Sequence, residues 1–489
     1  MSEAGSGSLL ARARPLMLAR GLAAVLTFCI PLALARAFPQ AEYGTYKLLV
    51  LVSQTLYYVL PVGMAQSLYY FLPRARLRRP YLMQTLSFLA LAGLVSMAGI
   101  WLGRFTLARL LNNQDLPRFA LELGIYTLGL VGSMPLEVSQ TARGRTVRAA
   151  WIYIASDALK ALAMTLPALL GFGLDGVMAG MAGFALLRLA ATWMVLLRGE
   201  DGPLFDAAGL REQLGYALPY GAAMAVAVPQ FYFHQFVVSS RLDAATFAIY
   251  AVGIFQLPII DLIYTPTSEV LMVRIAELEG EGRSPAAAAV FREATLRLAK
   301  LFLPLVAFLV ATAPEFITAL FTPRYLGSVP IFRVVTLGVV FACLPVDGVL
   351  RARGETRHIF KSYVVKAAVN IPLVLLGVVH LGMMGAVLAW LVAEAVGKLV
   401  LALRLPRALG IPLRELLPLV ALARTTGGAL LGLGGVFAAR ALLGPTTPPL
   451  MLLAVAAPLY ACGYWAGLVL LGAELPFRVG LWRRAARIP

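Results

Sequence analysis

The sequence predicts an all-α, polytopic membrane protein, and three observations carry that prediction. Hydrophobic residues make up 60% of the 489 and charged residues only 13%, a balance outside that of soluble globular domains. Apolar segments long enough to cross a hydrocarbon core of about 30 Å, roughly 20 residues each, follow one another along almost the whole chain with short polar breaks. A stretch near residue 140 recurs near residue 350, the mark of an internal duplication of the kind membrane transporters carry.

Apolar length and breaks at Gly, Pro and charge place fourteen spans near residues 16–38, 43–66, 81–103, 119–141, 149–170, 174–197, 214–238, 246–272, 299–320, 330–350, 362–380, 383–403, 416–439 and 449–471. The first, LMLARGLAAVLTFCIPLALARAF, carries Arg20 and is followed by no small-residue cleavage site, so it reads as a span rather than a removable signal peptide. With the N-terminus inside, the loops on that side hold most of the Lys and Arg, against six on the other, which puts both termini in the cytoplasm. The net charge of +18 follows from this topology. The arginines are scattered through short loops rather than gathered with aromatics on one patch, so no nucleic-acid partner is expected.

Cys29, Cys343 and Cys462 lie in apolar stretches without a second Cys or a His at ligand spacing. Neither a disulfide framework nor a metal site is implied. No Gly-Lys-Ser/Thr phosphate loop and no soluble catalytic domain is present, so no enzyme activity and no cofactor are expected.

The recurring stretches are PLEVSQTARGRT (135–146) and PVDGVLRARGET (345–356). At an offset of 210, Pro135 matches Pro345, Glu137 matches Asp347, Ala142-Arg143-Gly144 matches Ala352-Arg353-Gly354, and Thr146 matches Thr356. The match predicts an N-terminal six-helix bundle over 1–211, a second over 212–407, and two additional helices with a basic cytoplasmic tail over 408–489. Six spans return the chain to its starting side, so the bundles are expected to be related by a pseudo-two-fold axis along the membrane normal, with a cleft between them. A carboxylate inside a span is costly and pairs or faces water. Glu137 with Arg143, and Asp347 with Arg353, are candidates for an inner gate, the alternative being a structural cap.

Three stretches then carry a resemblance: Phe38–Arg74 (FPQAEYGTYKLLVLVSQTLYYVLPVGMAQSLYYFLPR), Ala311–Val334 and Ala352–Ala389. Together they are similar to the polysaccharide-transport family, the O-antigen and exopolysaccharide repeat-unit flippases of the multidrug/oligosaccharidyl-lipid/polysaccharide exporter superfamily. The resemblance implies an inner-membrane protein that turns an undecaprenyl-diphosphate-linked glycan from the cytoplasmic to the outer leaflet. It also implies surrounding membrane lipid, a coupling ion (H⁺ or Na⁺), and a polysaccharide polymerase and chain-length regulator as partners. Arg- and Gly-rich segments expected of a lipid II flippase are not evident near Arg20 or Arg36, which argues against a peptidoglycan precursor as cargo.

In that superfamily the cavity is lined chiefly by spans one, two, seven and eight, and each of these carries polar groups here. Span one holds Arg20 and Arg36, whose guanidinium forks suit phosphate oxygens. Span two carries Lys47, Gln54 and Tyr58 along one stripe. Span seven offers Gln230 and His234, and span eight Tyr250, Asp261 and Tyr264. His234 titrates near neutrality when unperturbed and, with Asp261, is a candidate for coupling to a proton gradient. Asp157 and Lys160, three residues apart in span five, are read as a mutually neutralising pair. The rival function is an ion-coupled drug/cation antiporter of the same superfamily. A polymerase or glycosyltransferase would need long external loops, and the longest here is roughly 104–118.

Overall fold

The computed structural model of the protein describes residues 4–197, 202–280 and 284–473, and every regular element among them is helical. The chain divides into two units, Met1–Ala251 and Val252–Pro489.

The first unit contains α1 (Ala4–Ala37), α2 (Gln40–Val59), α3 (Met64–Phe71), α4 (Arg79–Leu110), α5 (Ala120–Gly132), α6 (Pro135–Ala142), α7 (Thr146–Leu169), α8 (Gly173–Leu197), α9 (Ala207–Arg241) and most of α10 (Ala244–Gly253). Helix α1 lies along α7, α4 along α5, and α8 against α5 and α7. Small residues let these backbones meet: a Cβ on Gly129 of α5 would stand 2.5 Å from the Ala185 carbonyl oxygen of α8. Close approach of this kind replaces the hydrophobic driving force that is absent between helices in lipid.

The second unit contains α11 (Pro258–Gly280), α12 (Ser284–Ala311), α13 (Ala313–Leu320), α14 (Val329–Gly338), α15 (Val346–Ala352), α16 (Thr356–Ala402), α17 (Leu405–Leu409), α18 (Leu413–Leu416), α19 (Leu419–Leu443) and α20 (Pro449–Leu470). The 47-residue α16 is two helices joined at a kink at Gly382, whose φ of 57° and ψ of −136° are not helical. It therefore covers the two spans expected at 362–380 and 383–403. Helices α19 and α20 pack backbone to backbone through Gly428 against Gly467 and Gly432 against Gly463. Pro304 inside α12 has no N–H to offer the carbonyl of Lys300 four residues earlier. The Tyr464 hydroxyl of α20 donates to that carbonyl at 3.0 Å, and the Tyr460 hydroxyl donates to the Pro304 carbonyl at 2.9 Å.

Each of the fourteen expected spans falls on helix, but the count is not reached on length and composition. Nine described helices qualify as membrane spans, or eleven when the broken pairs α2–α3 and α10–α11 are each taken as one. Two expected spans share α16; α1 offers only a shorter apolar helix over Gly21–Ala37, and α9 is not among those that qualify.

The duplicated motif is a helix ending. In α6 the chain closes with Arg143 at the C-cap and Gly144 in the left-handed region at φ 75°, Gly144 N–H bonding Thr141 O and Arg145 N–H bonding Gln140 O. In α15 the pattern repeats with Arg353, Gly354 at φ 68°, Gly354 N–H to Arg351 O and Glu355 N–H to Leu350 O. Both are Schellman closures, which satisfy the last helical carbonyls and require a residue at ease with positive φ. Thr146 and Thr356 then open α7 and α16.

Candidate functional site

In the first unit the polar groups inside the helices converge on Arg188 of α8. Its Nη2 donates to both carboxylate oxygens of Glu137 at 2.7 and 2.8 Å, its Nε to Ser133 Oγ at 2.9 Å, and its Nη1 to Ser156 Oγ of α7. Glu137 and Arg188 side chains are only 5% and 16% exposed. One guanidinium thus ties the start of α6, the α5–α6 junction and α7 to α8, and its fork geometry suits that branching role. On α7, Lys160 Nζ lies 3.2 Å from Asp157 Oδ1, forming the pair expected from their spacing.

In the second unit the same positions are charged again. Asp347 of α15 accepts from the Tyr264 hydroxyl of α11 and from Arg351 Nη2 at 2.5 Å. Lys398 of α16 stands 3.7 Å from Asp347 Oδ1 and donates to the Leu344 carbonyl at 3.3 Å. Lys366 and Glu394, facing each other across the two halves of α16, form a further ion pair. Asp347 follows Glu137 by 210 residues, and Lys398 follows Arg188 by the same interval. At the 210-residue interval a carboxylate thus recurs on the short helix before the Schellman turn, and a cation on the second long helix after it.

The expected gate partners are placed differently. The ion pairs of Glu137 and Asp347 run to Arg188, Arg351 and Lys398, while Arg143 and Arg353 occupy the C-caps of α6 and α15. A residue six positions along a helix lies about 240° round from its start, whereas the fourth, as Arg351 from Asp347, returns to the same face. Arg188, Lys398 and Glu394 were not singled out by the sequence; the signal for each is an ionisable residue inside an apolar run.

Of the cavity candidates, Gln230 and His234 of α9 are 8% and 6% exposed and Tyr250 of α10 is fully buried. His234 Nδ1 and the Tyr250 hydroxyl are hydrogen-bonded at 2.6 Å, and Gln230 Nε2 is buried without a hydrogen-bond partner among the described residues. Lys47 is half-buried on α2, whereas Gln54 and Tyr58 further along it are exposed. Arg36 is exposed in the last turn of α1, and the Arg20 side chain lies outside the described residues. Asp261 is exposed on α11, three residues before the half-buried Tyr264. The structure therefore joins His234 to Tyr250, and Tyr264 to Asp347. Among the described residues no group of three or more His, Cys, Asp or Glu is placed to hold a metal.

Comparison with known proteins places this arrangement. A family model described as lipid II flippase MurJ matches residues 152–443, 292 of the chain's 489 residues. No curated protein matches the chain. Among solved structures, a lipid II flippase MurJ in an inward closed conformation aligns over 96% of this chain and 99% of its own, with TM-score 0.74 at 14% identity. A MATE-family multidrug resistance transporter of the MOP superfamily, in an inward-facing conformation, covers 80% of this chain and 95% of its own, with TM-score 0.63 at 15% identity. A MOP-superfamily transporter from Pyrococcus furiosus follows at 81% and 95%, with TM-score 0.55 at 15% identity. At these identities the structural likeness speaks for the fold alone, and it is the family model, spanning more than half the sequence, that assigns the chain to the lipid II flippase MurJ family.

Proposed function

We propose that the protein moves an undecaprenyl-diphosphate-linked glycan from the cytoplasmic to the outer leaflet of a bacterial inner membrane by alternating access, both termini being cytoplasmic. The observation that carries this reading is the family match over residues 152–443: its members move a lipid-linked substrate and transform none. It favours a peptidoglycan precursor as cargo. Arg20 and Arg36, near which the Arg- and Gly-rich segments of a lipid II flippase are not evident, lie outside the matched range. An O-antigen or exopolysaccharide repeat unit is the second reading, supported by the Phe38–Arg74 stretch, which also lies outside that range.

The driving force needs no nucleotide. A diphosphate carrying about two negative charges gains roughly 4–5 kcal/mol per 100 mV on leaving an inside-negative compartment. Arg20, Arg36 and Lys47 are the cations proposed to accompany it, Gln54, Tyr58, Gln230, Tyr264 and Tyr250 the groups for sugar or packing, and His234 and Asp261 the candidates for H⁺ or Na⁺ coupling. A polymerase and a chain-length regulator are partners only in the repeat-unit reading.

Proteoliposomes test this. Labelled lipid II and a labelled undecaprenyl-diphosphate repeat unit are followed for leaflet exposure, with and without a membrane potential, a pH gradient or a Na⁺ gradient, for wild type and Arg20→Ala. Flipping of either glycan that slows in Arg20→Ala supports the reading, and the preferred glycan selects the cargo. Failure to flip both, with proton-coupled efflux of a cationic dye instead, transfers the chain to the antiporter class.

A further inference from the structure

At the end of the first unit that carries the Arg74, Arg76, Arg78 and Arg79 cluster, two pairs of tyrosines, one on α3 and one on α9, are exposed. Tyr69 and Tyr70 close α3 and are 42% and 39% exposed, and Tyr216 and Tyr220, one turn apart on α9, are 48% and 45% exposed. Arg74 is exposed as well. The Tyr70 and Tyr216 rings are stacked, centroids 4.9 Å apart and planes 22° from parallel, and the Arg74 guanidinium carbon lies 4.0 Å from the Tyr70 centroid.

The array is held from beneath. Buried Phe71 stacks on Tyr81 at 5.0 Å and meets Tyr216 edge-on at 5.8 Å. Buried Gln213, one turn before Tyr216, donates to Ser67 Oγ of α3 at 2.8 Å and to Thr85 Oγ1 of α4 at 2.7 Å. The start of α9 is fixed in turn, Asp206 accepting from Ala208 N–H and Gly209 N–H and its carbonyl from Gln84 Nε2 at 2.5 Å. Exposed aromatic side chains are thus pre-positioned by buried hydrogen bonds, which spares a ligand the cost of ordering them.

Tyrosines also anchor helices at the membrane surface in aromatic belts, ring in lipid and hydroxyl in water. Here Tyr70 is stacked on Tyr216 and lies against a guanidinium that spends one N–H, Nη1, on the Tyr70 carbonyl at 2.8 Å, out of five it possesses. We infer that this array is a docking site for the headgroup of a diphosphate-linked glycolipid on the cytoplasmic surface, phosphate on Arg74 and sugar on the Tyr216–Tyr220 strip. The chemistry matches at both ends. A guanidinium fork takes phosphate oxygens, and the C–H face of a pyranose packs on an aromatic face that is apolar in the middle and rimmed by a hydroxyl. The inference rests on the flippase reading and on the orientation given by the basic loops.

The test is equilibrium binding to the full-length protein in nanodiscs of neutral lipid. The probes are a short-prenyl diphosphate disaccharide, the same short-prenyl diphosphate without sugar, and phosphatidylglycerol as competitor; the variants are Tyr216→Ala, Tyr220→Ala, Tyr216→Phe and Arg74→Gln. The disaccharide is expected to lose roughly three- to tenfold in affinity in Tyr216→Ala and Tyr220→Ala, with the sugar-free compound unchanged. Tyr216→Phe, which keeps the ring and the stack, is expected to bind as wild type, and Arg74→Gln to weaken both compounds. Unchanged disaccharide affinity in folded alanine variants, or equal losses for both compounds, overturns the sugar strip. Phosphatidylglycerol displacing the disaccharide one for one overturns the assignment in favour of bulk anionic lipid. Wild type that binds neither diphosphate compound overturns the flippase reading itself, whereas wild type that binds and flips with all variants unaltered overturns only the docking site.

Discussion

Arg188 reaches Glu137 through one terminal nitrogen that touches both carboxylate oxygens, at 2.7 and 2.8 Å. The pair is almost wholly enclosed, at 16% and 5% side-chain exposure. Its counterpart 210 residues later, Lys398 with Asp347, is looser at 3.7 Å and shares the carboxylate with Tyr264 and Arg351. Removing one partner of an enclosed pair strands the other charge, which typically costs about 3–5 kcal/mol, whereas removing both is often close to neutral.

Glu137→Leu is therefore expected to destabilise the folded protein by about 3–5 kcal/mol, and Glu137→Leu with Arg188→Met to recover most of the loss. Lys398→Met is expected to cost less than Arg188→Met, since Asp347 keeps two partners. Thermal unfolding of the four variants in detergent checks both orderings; a double mutant no better than the single would sink the stranded-charge account.

Gly144 and Gly354 end α6 and α15 at φ 75° and 68°, and a Cβ added at either meets nothing within 4 Å. The cost of Gly→Ala at each is then purely the left-handed backbone, about 1–2 kcal/mol. Equal losses at the two sites, read by the same unfolding assay, would mark the turns as equivalent. A loss at one only would separate them.

A Cβ on Gly44 of α2 would lie 1.8 Å from the carbonyl oxygen of Ala244, at the start of α10. Backbone cannot yield as a side chain can, so Gly44→Ala is expected to cost at least the 1–3 kcal/mol or so of an overpacked core. Gly99, with open space around it, is the control: Gly99→Ala, in mid-α4, is expected to be neutral or mildly stabilising. Comparing folded yields and melting points decides it.

Glu355, between α15 and α16, is held below the ordinary glutamate range by hydrogen bonds from Arg404. A carboxyl depressed on folding contributes stability in full above its unfolded value of about 4.3. That contribution shrinks as pH falls through the interval down to the folded value and is gone below it. Glu355→Gln is expected to flatten this part of the acid limb while leaving the melting profile above pH 5 parallel to wild type. An unchanged acid limb would rule the pair out as a contributor.

The helical segments, the repeated string and the break between residues 380 and 383 were legible because each is written locally, in apolar length, matching letters and a Gly. The partners of Glu137 were not. Arg143 is near in sequence but six positions along and so on another face, while Arg188 is 51 residues away and is brought close only by the packing of α6, α7 and α8. The ARG-x-T string was legible as a repeat but not as a Schellman closure, because its hydrogen bonds involve backbone groups whose identity the letters do not carry. His234 was singled out for its chemistry, and its union with Tyr250 depends on α9 meeting α10. Span counting by composition alone falls short at α9, where Gln, Tyr and His dilute an otherwise membrane-length helix.

Pro304 gives the last two helices an obligation. A proline inside α12 leaves the Lys300 carbonyl without its helical donor, and in lipid such a group must find another; Tyr464 supplies it from α20. A chain cut after residue 418 would thus lose a donor on which its own α12 relies. The C-terminal pair is thereby part of what keeps α12 whole, since its two tyrosine hydroxyls serve carbonyls on either side of the proline break.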